Sequence, residues 1–307
     1  MRARFEENGS PRYLLYAIKR RGLDREHGFF LDVELVSDDV DDGLETVEAK
    51  LQHGDADLID IDYLSTARER AAGAPIVAIH PYGRTVGGLV APTDGAVDGL
   101  PDLRGARVGV VRRLDKNWIL TRAACRDIHG FDPDDAAQVV EVGSKSGLTA
   151  ALEAGEVDAA LQFWQLIPAI VDGGDFAEVL PMARLVQDLS GTDRKIPMST
   201  FLTTEAYLDA HPEAVDGFRA AYREAVDLLR EDDALWDELG EQMMGGADPA
   251  VVANVRDGWR EMVVRDWDAA TVAGMERLFD HLRDVAGADA LGVEAIPAGT
   301  FRVGDRT

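Results

Sequence analysis

Gly54-Asp55-Ala56-Asp57-Leu58-Ile59-Asp60-Ile61-Asp62 and Gly155-Glu156-Val157-Asp158-Ala159-Ala160-Leu161 are one phrase written twice, about a hundred residues apart. Ahead of each, apolar residues recur at helical spacing: Leu44, Val47 and Leu51, then Leu148, Ala151 and Leu152. Each pattern stops at a glycine, and a short apolar run starts directly after an aspartate, as when a helix hands over to a buried strand. Parallel strands need crossovers of this kind. The repetition predicts an α/β chain of two doubly wound lobes, each presenting strand ends to a shared crevice suited to a small molecule.

The 307 residues, 46% of them apolar, can bury a sizeable core, divided between two domains. With 57 acidic against 32 basic residues the net charge is −25, which argues against a nucleic-acid groove or an anionic membrane surface, and neither partner is expected. Only five of the basic residues are lysines: Lys19, Lys50, Lys116, Lys145 and Lys195. The one cysteine, Cys125, rules out an intramolecular disulfide or a multi-cysteine metal site, and no cofactor or metal is expected. It shares an apolar helix face with Leu120, Ala123, Ala124 and Ile128, so an inert thiol is expected. No apolar run reaches about 18 residues, so no membrane insertion is expected. Met1-Arg2-Ala3-Arg4-Phe5 carries no apolar signal region. The expected location is cytoplasmic, or extracytoplasmic if a leader has been removed.

Along the chain, residues 11–22 read as a helix with proline at its start, Arg20-Arg21 in its last turn and Gly22 at its stop. Residues 30–36 alternate as a strand, 38–42 form an acidic turn, 43–53 a helix and 57–62 a strand. A short helix at 64–72 and a strand at 75–79 follow, and Gly87 to Ala91 leads out of the first lobe. The second lobe reads as strands at 107–111, 138–142, 157–163 and 176–180, with helices at 118–129, 146–154 and from about 165. Helical spacing returns at 213–230, 233–244, 249–262 and 269–285, whose apolar stripes must pack on the first lobe. The expected division is 1–91 plus 198–307 for lobe 1 and 92–197 for lobe 2. Hinges are expected at Ala91-Pro92 and Ile196-Pro197.

The order of Arg20-Arg21-Gly22-Leu23, Gly54-Asp55-Ala56-Asp57, Gly73-Ala74-Pro75-Ile76, Leu103-Arg104-Gly105-Ala106-Arg107-Val108-Gly109-Val110, Ala154-Gly155-Glu156-Val157-Asp158-Ala159 and His211-Pro212-Glu213-Ala214-Val215 resembles the solute-binding proteins of the aliphatic-sulfonate, taurine, nitrate and thiamine-precursor type. The resemblance spans nearly the whole chain. It implies the type II periplasmic-binding-protein-like fold: two doubly wound lobes joined by two crossing strands, closing on one small molecule and delivering it to an ABC permease.

Carried over by position, the resemblance implies a pocket of loops at strand ends. In lobe 1 these hold Asn8, Ser10 and Tyr13, then Asp62 and Tyr63, then His80, Tyr82 and Arg84. In lobe 2 they hold Arg112, Arg113, Lys116, Asn117 and Trp118, then Ser144, then Phe163 and Trp164, with Ser199 on the returning strand. Helix N-termini at such loops favour carboxylates and sulfonates, and guanidinium groups recognise the same anions.

Each residue has a plainer reading. Arg112, Arg113 and Lys116 are cations among many acids, and the aromatics are ordinary core candidates. Asp60 and Asp62 alternate to one face, where they could bind an amine or cap the next helix. Asp132-Pro133-Asp134-Asp135 reads as a helix start. The expected function is binding of a small, carboxylate- or sulfonate-bearing ligand, aromatic if several rings face the crevice. The alternative is a cytoplasmic enzyme on the same scaffold. A desulfinase would need a cysteine at about Gly9, and a pyrimidine synthase a cysteine-rich motif. An aromatic-acid decarboxylase needs a cation and a proton donor, which Arg84, Arg112, Lys116 and His80 could supply, the first choice being His80, Arg84 and Lys116.

Overall fold

The computed structural model describes residues 1–304 apart from 39, 42, 43, 85, 86 and 193. Its strands, in chain order, are β1 (Arg2–Glu6), β2 (Asp32–Val36), β3 (Val40–Asp41), β4 (Leu44–Glu45), β5 (Ile59–Asp62), β6 (Ile76–Gly83), β7 (Gly88–Pro92), β8 (Arg107–Val110), β9 (Gln138–Glu141), β10 (Ala159–Gln162), β11 (Phe176–Pro181) and β12 (Ser199–Thr204). The expected acidic turn at 38–42 falls partly outside the described residues. No helix among the described residues is long and apolar enough to cross a membrane.

The chain forms two compact units. The first comprises Met1–Gly83, Ser199–Val272 and Pro297–Thr307; the second comprises Arg84–Met198 and Ala273–Ile296. In the first, β2 pairs parallel with β1, a parallel bridge from Ala3 to Leu58 joins β1 to β5, and β12 runs antiparallel between β5 and β6. In the second, β9 pairs parallel with β8, β8 with β10, and β7 runs antiparallel between β10 and β11. The strand orders, β2-β1-β5-β12-β6 and β9-β8-β10-β7-β11, are therefore the same plan used twice.

The repeated phrase has a physical job in each sheet. After Gly54, with φ 80°, Asp57 accepts from the backbone N–H of Arg2 at 2.7 Å and from its guanidinium, which also donates to the Gly54 carbonyl at 2.8 Å. After Gly155, with φ 67°, Asp158 accepts from the backbone N–H of Arg107 at 2.7 Å and from its guanidinium, which also donates to the Gly155 carbonyl at 2.8 Å. The aspartate that opens the third strand clamps the arginine that opens the first, fixing register at the amino ends. Hydrogen bonding to Arg107 holds the Asp158 carboxyl below its usual range. Burial pushes Asp57 up, yet its bonds with Arg2 leave it lowered as well.

Three features differ from the expected division. The segment Gly88–Pro92 does not leave the first sheet but is β7 of the second, bonded to β10 and β11, so the first crossing lies at Gly83/Arg84 rather than Ala91-Pro92. His80 lies inside β6 rather than in a loop, because β6 continues through Pro81 to Gly83, with irregularities in its pairing with β12 that accommodate the missing N–H. The helices Pro212–Glu231, Asp233–Met243 and Pro249–Met262 belong to the first unit, but Ala273–Ile296 belongs to the second. There the Arg126 guanidinium donates to the Ala286 carbonyl at 2.9 Å, and Gly274 lies against Ile196.

The first unit's core carries Tyr13, Trp236 and Trp259 in edge-to-face contact, and Phe201 against Phe5, Tyr82, Phe218 and Tyr222. Each such ring buries roughly 150–250 Å², worth about 4–6 kcal/mol at 25 cal/mol per Å² before entropy is counted.

Candidate functional site

From β8 to β9 the chain moves one way across the second sheet, and from β9 to β10 it moves back past β8. Right-handed crossovers then put the helices Lys116–His129 and Lys145–Glu153 on opposite faces. Such a reversal puts the switch point, where crevices form, between the carboxyl ends of β8 and β10. Asp115 caps the first helix, accepting from the Asn117 N–H at 2.8 Å, and Ser144 caps the second, accepting from the Gly147 N–H at 3.0 Å. Both caps place a lysine at the first helical position.

Those two lysines are buried, Lys116 at 7% exposure and Lys145 at 6%. Their Nζ atoms lie 4.6 and 4.8 Å from the centroid of one ring, that of Phe163, just beyond β10. Two ammonium groups thus share an apolar corner no more than about 10 Å apart, within a Debye length of each other. Lys116 is 3.4 Å from Asp115. Burial lowers the Lys145 ammonium to about 7, so its charge is poised near neutrality.

The surroundings fix this corner. The Gln162 side chain donates to the Lys145 carbonyl at 3.3 Å and the Thr149 hydroxyl at 2.9 Å, and accepts from the Phe163 N–H at 2.9 Å. Gly87, with φ 152°, passes so close that a Cβ there would sit 1.9 Å from the Gln162 carbonyl oxygen and 3.2 Å from Asn117 Nδ2. Only glycine fits. Asn117 is fully buried, Trp164 and Arg112 are half-buried, and exposed Arg113 pairs with Glu141 and Asp134. Trp118 is core: fully buried, its Nε1 donates to Asp134 at 3.0 Å. Arg84 lines a separate small hollow with Val186 and Gln187.

In the first unit the corresponding loops are built differently. After β1, Asn8 donates to Asp38, which follows β2, at 2.8 Å. Ser10 is buried at the start of the Pro11–Arg21 helix and bonds to the Tyr82 hydroxyl, which also accepts from Trp259 Nε1 at 3.1 Å. Tyr13 packs on Trp236. Asp62 caps the Tyr63–Ala71 helix, accepting from the Ser65 N–H at 2.9 Å and its hydroxyl at 2.8 Å. The Tyr63 hydroxyl is fully buried without a hydrogen-bond partner, and burial raises its pKa. Ser199 is half-buried in the β12 ladder opposite Asp62 and Gly83. His80 is 2% exposed, packs on Tyr222, and has its Nδ1 2.9 Å from the Pro81 carbonyl.

Of the expected residues, the second unit brings together Lys116, Asn117 and Phe163, with Ser144 as the cap before Lys145. Lys145 itself had not been singled out. The available signal was scarcity: two of only five lysines open a helix directly after a parallel strand.

Residues 15–234 match the model of the family described as "NMT1/THI5 like". Among solved structures, the chain is similar to the alkanesulfonate-binding protein SsuA from Xanthomonas axonopodis pv. citri bound to MOPS, with 20% identity, a TM-score of 0.73, and 94% of this chain and 96% of that one covered. It is similar to the periplasmic aliphatic sulphonate binding protein SsuA from Escherichia coli, with 18% identity, a TM-score of 0.73, and coverage of 100% and 94%. A Candida albicans protein exhibiting the generic periplasmic binding protein structural fold matches at 12% identity and TM-score 0.67, with 96% of each chain covered. Among curated proteins no match is found. Likeness at these identities shows the fold, which is that of the periplasmic binding proteins.

Proposed function

From the premise that the chain belongs to the NMT1/THI5-like family, we propose that it is a solute-binding protein. Its ligand is a small organic anion, a sulfonate or carboxylate, seated at the strand ends of the second unit. The observation that carries this reading is the pair of buried lysines, Lys116 and Lys145, on the Phe163 ring. An anion entering beside two buried ammonium groups gains charge-assisted contacts, and the helix N-termini add backbone donors. Phe163 gives an apolar wall for the ligand's carbon skeleton. The names of the relatives, alkanesulfonate- and aliphatic sulphonate-binding proteins, support the same class. Delivery to an ABC permease, and closure of the protein on its ligand, follow from the family and belong to this proposal.

The decarboxylase alternative is not favoured. Burial, with help from Arg219 and Arg223 and against the bond to Pro81, pushes the His80 imidazole down to about 3, so near neutral pH it is not in the imidazolium form that would serve as the acid.

The test is a thermal-shift screen of short alkanesulfonates, taurine and aliphatic and aromatic carboxylates, with the soluble compounds recovered afterwards. A solute-binding protein raises its melting temperature in proportion to the logarithm of ligand concentration and returns the ligand intact. A compound that stabilises but is consumed identifies an enzyme instead, and no response from any of these anions refutes the reading.

A further inference from the structure

The first unit carries a cavity of about 940 Å³ whose wall reverses the charge balance of the chain. Acidic residues outnumber basic ones 57 to 32 overall, yet four of the eleven residues lining this cavity are arginines and only Asp216 is acidic. The arginines converge from distant parts of the sequence: Arg219 and Arg223 from the Pro212–Glu231 helix, Arg265 after Met262, and Arg302 from the C-terminal segment beside β6.

Three of the guanidinium groups are anchored. Arg219 donates to the carbonyls of Ile79 at 3.1 Å and Arg302 at 2.9 Å, and pairs with Asp216 at 2.8 Å. Arg265 pairs with Asp227 at 2.8 Å and Arg302 approaches Glu205 at 3.8 Å, and neither acid is part of the lining. Arg223 is exposed and has no hydrogen bond or ion pair with any described residue. The floor is His80, which stays neutral beside these cations. Trp267, held by its Nε1 bond to the Arg302 carbonyl at 2.9 Å, gives one flat apolar wall.

We infer that this cavity is a second binding site, for a multiply charged phosphate compound such as a phosphate ester or diphosphate. A single carboxylate cannot meet guanidinium groups on several walls of a hollow this size. Phosphate oxygens can, because they accept the paired N–H donors of the guanidinium fork from more than one side. Pre-anchored arginines lose little freedom on binding. The inference is independent of the proposed function, since none of its residues belongs to the lysine corner.

The experiment is isothermal titration of the full chain with inorganic pyrophosphate, sulfate and citrate at low and moderate salt. Pyrophosphate is expected to bind best, more weakly as salt rises. Arg223→Glu should lower its affinity at least about tenfold, the scale of one charge-assisted contact, and Arg265→Gln should weaken it less, both with unchanged far-ultraviolet dichroism. Lys145→Met should bind pyrophosphate as the parent does. Absence of pyrophosphate binding, tighter binding of citrate or sulfate, indifference to both arginine substitutions, or loss in Lys145→Met would each overturn the assignment.

Discussion

At the carboxyl ends of β1 and β2, Asn8 and Asp38 bond to each other, while Ser10, Tyr82 and Trp259 form one hydrogen-bonded chain and Asp62 is a helix cap. At the corresponding ends of β8 and β9 the chain instead places two buried ammonium groups around Phe163. The strand orders are the same and the arginine clamps at the amino ends are nearly superposable in their bonding. In the first unit the polar side chains bond to one another; in the second two buried ammonium groups gather on one aromatic ring. Substitutions in the two units should therefore separate affinity from stability.

The largest effect is expected for Lys145→Met, which should weaken anion binding by roughly 2–5 kcal/mol, the usual cost of truncating one partner of a buried charge pair. Titration calorimetry measures this. The same variant should melt no lower than the parent at pH 6. Lys145 titrates at about 7 in the folded chain against 10.5 when unfolded. Below 7 the buried ammonium costs stability in full, and between 7 and 10.5 the unfolded state holds more protons, so parental stability should rise with pH through that window. Lys145→Met should lose this rise.

Next comes Tyr82→Phe, which leaves the buried Trp259 N–H without its acceptor, a cost of about 1–3 kcal/mol in denaturant unfolding with anion affinity unchanged. A change in affinity would blur the contrast between the units. Asp62→Ala removes a helix cap and should cost about 0.5–2 kcal/mol, again without touching affinity. The smallest shifts are expected for Arg2→Ala and Arg107→Ala, whose clamps lie near the surface. The two melting temperatures should fall by similar amounts. A drop in anion affinity in Arg107→Ala would show that the amino-end clamp and the carboxyl-end site are coupled.

Much of this plan was legible in the sequence because helix stops and strand starts are local events. Gly54 and Gly155 need positive φ, and the aspartates that follow need an arginine on the neighbouring strand, so the phrase recurs wherever the plan does. The crossing was misplaced because Gly88–Pro92 reads as an ordinary apolar strand, and only its pairing with β10 and β11 assigns it to the second sheet. The site was legible as loops but not as side chains. Lys116 and Trp118 are two positions apart on a helix, hence on different faces, and only packing decides that Trp118 goes to Asp134 and Lys116 to Phe163. Lys145 was hidden behind Ser144, whose cap role was the readable one.

In the proposed site Lys145, a buried lysine that an arriving anion would hold charged, is a principal determinant of affinity. Calorimetric titration of the parent and of Lys145→Met with one stabilising sulfonate or carboxylate, from pH 5.5 to 8.5, tests it directly. Parental affinity should fall as pH rises through about 7, while the variant should bind weakly and without that dependence. Equal affinities, or a parental profile flat across the range, would contradict the claim.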